Sequence, residues 1–271
     1  MELGYPIYPT PERAMRAFAN LWKYSQIVQR KSGKVKKFKV KREVVRNIID
    51  EAKGNGNKIQ GLNALKILDA YGINTVASRM VTSLKEALEW GEKMGYPLVM
   101  KIVSPEIVHK TDVGGVKIGI TNKKELESSY REIINAVKNK KPKVKITGHL
   151  IQRMVMGGRE LILGIKQDEQ FGPVIAYGLG GIYTEILGNK SFGIAPLTRK
   201  EAEDMVTQSE AYPILGGIRG EKPSDVSFLV NSIVRLSQLA IEFPEIKELD
   251  INPFTILEKG GVAIDCRILL T

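Results

Sequence analysis

At 271 residues, with 43% hydrophobic and 26% charged residues, the chain has the make-up of a folded globular protein of one large domain or two modest ones. A single cysteine, Cys266, excludes an internal disulfide and any multi-cysteine metal site; no apolar run approaches the roughly 20 residues that span a bilayer, and the start lacks the features of a signal peptide, so a cytoplasmic protein is expected. The net charge of +11, from 41 Lys+Arg against 30 Asp+Glu, fits nucleic acid, a phosphate-rich ligand or a lysine-rich surface, and only the placement of the charge separates these.

The first element is a helix. Thr10 is placed to cap it, and Pro11 takes the first helical position, where a missing N–H costs nothing. Ala14, Ala17, Phe18, Leu21, Trp22 and Tyr24 follow at helical spacing. That apolar face needs a partner in this chain or another. A basic stretch comes next, where nine of residues 30–46 are Lys or Arg and one is Glu. Such runs are ordinarily solvated linkers or faces. A second basic cluster lies at 138–145, and neither is interleaved with the aromatic residues that stack on single-stranded nucleic acid. A short helix over 42–53 ends at Gly54-Asn55-Gly56-Asn57.

Alternating helices and strands follow. A helix over 63–70 stops at Tyr71-Gly72, and a short strand occupies 75–81. Ser83 caps a helix over 84–94, which Gly95-Tyr96-Pro97 ends. The strand 97–103 carries Lys101 at its middle. The chain then breaks at Ser104-Pro105, passes His109, and turns at Gly114-Gly115 into a returning strand, 116–120. Asn122 caps a helix reaching 137. These elements read as a compact α+β lobe.

A second lobe is expected to begin with a strand over 148–155. Gly157-Gly158 turns it into a strand over 160–166, and 168–172 makes a hairpin into 173–177. The run Gly178-Leu179-Gly180-Gly181 follows, then helices over 200–208 and 224–241. The end reads as a hairpin: 248–252 and 254–257, a turn at Lys259-Gly260-Gly261, and 262–266.

Two places carry chemistry. A lysine at the centre of an apolar strand is costly unless its ammonium meets an anion, and phosphate is a natural one. Alone, Lys101 could equally snorkel at a sheet edge. Thr111, Gly114 and Gly115 add a hydroxyl and backbone N–H groups that can close over phosphate oxygens, although a Gly-Gly turn also serves as a plain hairpin. No GxxxxGK[ST] or GxGxxG pattern is present. The second place is the terminal hairpin. Asp250 and Asn252, two apart on a strand, share a face, and Asp265 on the following strand can come alongside. Two carboxylates and an amide oxygen suit a hard ion such as Mg²⁺ bridging phosphates; a solvated polar edge is the plain alternative. His109 is either a neutral loop histidine or a group that accepts a phosphoryl. His149, at a strand start, is left without a role.

Taken together, SPEIVHKTDVGGV, YGLGGIYTEILG, SFGIAPLT and ELDINPF resemble the β subunit of ADP-forming acetyl-CoA (acyl-CoA) synthetases, relatives of succinyl-CoA synthetase. The resemblance covers residues 58 to 271 and implies an α+β (α/β) ATP-grasp fold of two lobes with a short N-terminal helical extension. The expected division is 1–57 for the extension and basic linker, 58–147 for the small lobe and 148–271 for the large lobe. The segment YPIYPTPERAMRAFANLWKY resembles the tail of the α portion in fused members, which implies a helix that docks on α.

The resemblance also implies roles. Lys101 would hold the phosphates of ATP or ADP, beneath the loop from Thr111 to Gly115. Gln152, Met154 and Val155 would present backbone groups to adenine, and Glu160 would contact the ribose or the amino group. Asn252 and Asp265 would ligate Mg²⁺. His109 would relay the phosphoryl group between ADP and a histidine of the α subunit, Asp250 would orient the incoming phosphohistidine, and Glu185 would line the same path. The partner implied is an α subunit with the CoA-binding domain, in an α2β2 assembly. Gly193 in SFGIAPLT and Gly216 in ILGGIRG stand where the pattern has basic residues, which puts substrate-side contacts in question. Two other readings stay open: a stand-alone ATP-grasp ligase working through an acyl-phosphate, which needs no His109, and a basic nucleic-acid-binding protein.

Overall fold

The computed structural model describes residues 6–29, 33–54, 56–107, 110–180, 190–217 and 220–271. They fall into two units, 1–34 and 35–271.

The first unit is a helix, α1 (Pro11–Gln29). Ala14 N–H donates to Thr10 O at 3.2 Å, as expected of a helix opened by Thr10-Pro11. Phe18, Leu21, Trp22 and Tyr24 are exposed.

The second unit holds two antiparallel sheets. Its helices are α2 (Arg42–Lys53), α3 (Leu62–Ala70), α4 (Leu84–Met94), α5 (Lys123–Lys140), α6 (Arg199–Thr207), the short α7 (Tyr212–Leu215) and α8 (Val226–Glu242). Its strands are β1 (Lys58–Gln60), β2 (Ser78–Val81), β3 (Leu98–Val103), β4 (Val116–Ile120), β5 (Gly148–Arg153), β6 (Arg159–Asp168), β7 (Gly172–Leu179), β8 (Ser191–Ile194), β9 (Ile246–Ile256), β10 (Gly261–Ala263) and β11 (Cys266–Leu270). The larger sheet runs β1-β11-β9-β6-β7-β8, with β10 paired to β9, and the smaller runs β2-β5-β3-β4. No helix among the described residues is long and apolar enough to cross a membrane.

Each sheet has its own core. In the smaller one, Leu98, Met100 and Ile102 alternate along β3 toward Ala87 of α4 and Leu126 and Ile133 of α5. The two helices lie so close that a Cβ on Gly91 would sit 2.4 Å from Leu126 Cδ2. In the larger core, Leu161, Leu163 and Ile165 of β6 pack with Leu229, Ile233 and Leu236 of α8. Local signals set the helix starts. Ser83 Oγ accepts from Glu86 N–H at 3.2 Å and Asn122 Oδ1 from Glu125 N–H at 3.0 Å, while Thr198 and Glu201 form a reciprocal capping box.

Three assignments differ from the sequence reading. The strand expected to open the large lobe, β5, pairs with β2 on one side and β3 on the other, so it is central to the smaller sheet. Conversely, α2, β1 and α3, read as linker and small lobe, belong with the larger sheet. Val45, Ile48, Ile49 and Ala52 of α2 and Leu65 and Leu68 of α3 join its core, and β1 pairs with β11. An amphipathic helix takes whatever apolar surface the topology supplies, and here that is the larger sheet. The basic stretch is not a free linker throughout. Phe38 is anchored: its N–H donates to Gln238 Oε1 at 2.8 Å, and the Arg235 guanidinium lies 3.9 Å over its ring.

Candidate active site

Strand alternation brings Lys101 to the site. With its even-numbered neighbours turned to the core, β3 projects Val99, Lys101 and Val103 from the opposite face. The Lys101 ammonium lies 3.6 Å from Asp265 Oδ2, with the two side chains 13% and 25% exposed. Burial lowers the lysine's pKa, Asp265 raises it, and Lys110 lowers it again.

Asp265 occupies a two-residue break between β10 and β11. The break is held on the β9 side, where Asn252 N–H donates to Asp265 O at 3.2 Å and Ile264 N–H to Pro253 O at 3.0 Å. Asp265 Oδ1 accepts from Cys266 N–H at 2.9 Å, which fixes the carboxylate and turns Oδ2 toward Lys101. Cys266 itself is fully buried, which pushes its thiol pKa far up.

Asp250 and Asn252 lie on the exposed face of β9, because Leu249 and Ile251 are buried. Desolvation pushes the Asp250 carboxyl above the usual carboxylate range and Asp265 adds to it, while Arg267 and Lys190 oppose the shift. Arg267 is the register partner of Asp250 on β11. Lys110, Lys190 and Arg267 were not sequence candidates; each gains meaning only from register or proximity, which no local motif encodes. Asn252 and Asp265 offer hard oxygen donors, and no cluster of three His, Cys, Asp or Glu exists among the described residues. That set fits Mg²⁺, which takes one or two protein oxygens and completes its shell with phosphate and water. It does not fit an all-protein metal cage.

The glycine turn is partly closed on itself. Thr111–Val113 forms a 3₁₀ turn, and Gly114 follows with φ +70°. Gly114 N–H donates to Thr111 O at 3.0 Å and Gly115 N–H to Lys110 O at 2.7 Å. The two donors expected to reach phosphate are therefore spent inside the turn, while the Thr111 side chain stays exposed.

In the connecting segment, the Gln152 main chain is held in the sheet, Arg153 N–H donates to Ala77 O at 3.0 Å, and Met154 N–H donates to Pro97 O at 3.0 Å. Val155 is the first of these residues whose N–H has no backbone acceptor among the described residues. Beyond it opens a cavity of about 1390 Å³, lined among others by Val155, Met156, Glu160, Leu179 and Thr255. Lys101 and Asp265 are not among its walls.

His109 and Glu185 lie outside the described residues. His149 is a core residue. It is 1% exposed, its ring centroid lies 4.2 Å from that of Tyr130, and neither ring nitrogen has a hydrogen-bond partner among the described residues. Gly193 faces the larger core, where a Cβ would meet Leu197 Cδ2 at 2.9 Å, so a side chain there requires Leu197 to shift. Gly216 is less confined, with Pro213 O at 3.4 Å.

The chain is similar to known proteins in sequence and fold. A family model for the ATP-grasp domain matches residues 51–270. The ADP-forming acetate–CoA ligase I of Archaeoglobus fulgidus is 42% identical over 270 residues, which cover 98% of this chain and 39% of that protein. The chain thus spans about two fifths of the length of that relative. The β subunit of the ADP-forming acetate–CoA ligase I of Pyrococcus furiosus is 44% identical over 225 residues, 83% of this chain and 97% of that one. Acetyl-coenzyme A synthetase 1 of Ca. Korarchaeum cryptofilum, in complex with coenzyme A, Ca-AMPCP and HgCl⁺, has a TM-score of 0.81 at 39% identity, with 83% of this chain and 99% of that chain covered. The same protein with coenzyme A and Mg-AMPPCP, its phosphohistidine segment pointing towards the nucleotide binding site, gives 0.75 at 36%, again over 83% and 99%.

Proposed function

The chain belongs to the ATP-grasp family and, within it, to the ADP-forming acetate–CoA ligases, and from that premise we propose that it is the nucleotide-binding β part of an enzyme interconverting acyl-CoA, ADP and phosphate with the free acid, ATP and CoA. The observation that carries this reading is the approach of Lys101 to Asp265: a largely buried ammonium facing a partly buried carboxylate that has a hard oxygen to offer a metal.

In this reading ADP or ATP lies with its base and ribose in the cavity beside Val155 and Glu160, and its phosphates reach toward Lys101. Asn252 and Asp265 hold Mg²⁺, which neutralises phosphate charge when bound. Lys101 supplies a fixed positive charge to the transferring group, and the Thr111 hydroxyl donates to a phosphate oxygen. A positioned cation acts far more strongly in a partly desolvated cleft than in water.

The acyl and CoA chemistry requires a partner. The Pyrococcus relative is named a β subunit, and the Archaeoglobus relative is much longer, so the partner is either a separate α chain, as in an α2β2 assembly, or another stretch of one polypeptide. A phosphoryl group crossing between sites must avoid water, and a covalent imidazole carrier does this in two steps. His109 would be that carrier: an imidazole nitrogen attacks phosphorus as the bond to the donor breaks, and the β-phosphate oxygen of ADP later displaces the imidazole. Asp250 would orient the incoming phosphohistidine, and Glu185 would line its route.

The test is acid-labile labelling of the chain by Mg²⁺ and γ-³²P-ATP, with and without the α part, repeated with His109→Ala. Label that vanishes in the variant supports the relay. A labelled α part with no label on this chain would show direct transfer instead.

A further inference from the structure

The Gln152 carboxamide reaches from the smaller sheet to the segment that carries Asp265. Its Nε2 donates to Ile264 O at 3.2 Å and to Ser78 Oγ at 3.0 Å. A carbonyl can only accept, so the nitrogen must face Ile264. Ser78 Oγ gives its own hydrogen to Val76 O at 2.8 Å and so accepts from Gln152. Both amide hydrogens are used, and the side chain is 2% exposed. Its Oε1 is buried with no partner among the described residues.

The backbone around this tie is fixed on both sides. Val76 N–H donates to Ala263 O at 3.0 Å and Ala263 N–H to Asn74 O at 2.8 Å, while Asn252 N–H holds Asp265 O from β9. The contact of Gln152 falls on Ile264, between these clamps and next to Asp265. A buried orphan acceptor is a penalty that a residue serving only to fill space would avoid, since leucine fills the same volume without it.

We infer that Gln152 is a positioning residue for the metal and phosphate site. Its amide holds Ile264 O and thereby sets the Asp265 carboxylate opposite Lys101. The inference rests on the nucleotide-site reading above. Groups that orient a metal ligand from behind typically change metal affinity by about 10- to 100-fold when removed.

The experiment is calorimetric titration of the full chain with ADP, in Mg²⁺ and in its absence, for the unaltered protein and Gln152→Leu, with thermal unfolding alongside. The expected result is an unfolding midpoint close to the unaltered one, ADP affinity without Mg²⁺ little changed, and Mg²⁺-dependent affinity reduced about 10- to 100-fold. Equal Mg²⁺ dependence in the two proteins overturns the inference. No ADP binding by the unaltered chain overturns the nucleotide-site reading and the inference with it. Ser78→Ala keeps the bond to Ile264 O but frees the amide to rotate. It should lower Mg²⁺-dependent affinity in the same direction by a smaller factor, and it decides the matter should Gln152→Leu not fold; an unchanged Mg²⁺ dependence in Ser78→Ala then counts against the role.

Discussion

Lys101 Nζ stands 3.6 Å from Asp265 Oδ2, too far for a tight hydrogen bond and close enough for each charge to hold the other. A largely buried ammonium with so loose a partner is a poor stabilising device, because its desolvation offsets much of the attraction. Lys101→Met removes that desolvation cost but leaves the Asp265 carboxylate, 25% exposed, without its cation, so stability should fall by less than the roughly 3–5 kcal/mol that breaking a fully buried pair costs. Loss of a charged contact to phosphate should meanwhile weaken ADP binding by about 10-fold or more, from the ~1.5–3 kcal/mol of such a bond. Urea unfolding and calorimetry on one sample check both. A protein that loses stability and keeps ADP affinity would make Lys101 a structural residue.

Asp265→Asn tests the other half of the pair. The amide oxygen can still accept from Cys266 N–H, so the break between β10 and β11 should survive. The anion that raises the pKa of Lys101 is gone, and burial then acts with less opposition, so the lysine should titrate at lower pH than before. Carbon-labelled lysine followed by NMR through a pH series reads this directly. Mg²⁺ should add little to ADP affinity in this variant; an undiminished Mg²⁺ effect would remove Asp265 from the metal site.

The parts of this arrangement legible in the sequence are those set by neighbours in the chain. Ser83 and Asn122 announce their helices because a cap is a local hydrogen bond, and Lys101 stands out because a strand's alternation is local too. The destination of an apolar face is not local. Val45 and Ile49 make α2 amphipathic, yet nothing within the segment says that it covers the larger sheet. The same limit misplaced β5, whose pairing with β2 and β3 joins residues 45 to 74 apart in the chain. At the site, Asp250 and Asn252 share a face by simple alternation, but the pairing of Arg267 with Asp250 follows from the β9–β11 register. The internal bonding of Gly114 and Gly115 could not be foreseen either, since a glycine pair fits an open phosphate loop and a closed turn equally well.

Gly115→Ala should disturb the turn that carries Thr111 and Lys110. A Cβ there would lie 2.5 Å from Ile102 Cγ2 and 2.9 Å from Lys110 O. Ile102 is fully buried and Lys110 O already accepts from Gly115 N–H, so neither yields easily. Overpacking of this kind costs about 1–3 kcal/mol. Denaturant unfolding should show that loss, with ADP affinity falling as Lys110 and Thr111 move. A variant as stable as the original would mean that the turn has slack which its hydrogen bonds do not reveal.

His149 gives the fold a dependence on acid that is separate from the active site. Burial alone lowers its pKa from 6.5 to about 4. Because the folded value is the lower one, the unfolded chain takes up the proton first as pH falls. Stability from this group is complete above pH 6.5 and drains away between 6.5 and about 4, below which it stops changing. The drop of about 2.5 units corresponds to an upper bound on the order of 3 kcal/mol. His149→Phe keeps an aromatic ring against Tyr130, removes two unpaired buried nitrogens, and should flatten the unfolding free energy across that window. Urea titrations at pH 7.0, 5.5 and 4.0 make the comparison. Equal slopes for the two proteins would mean that the imidazole is protonated inside the fold, with a partner that satisfies it.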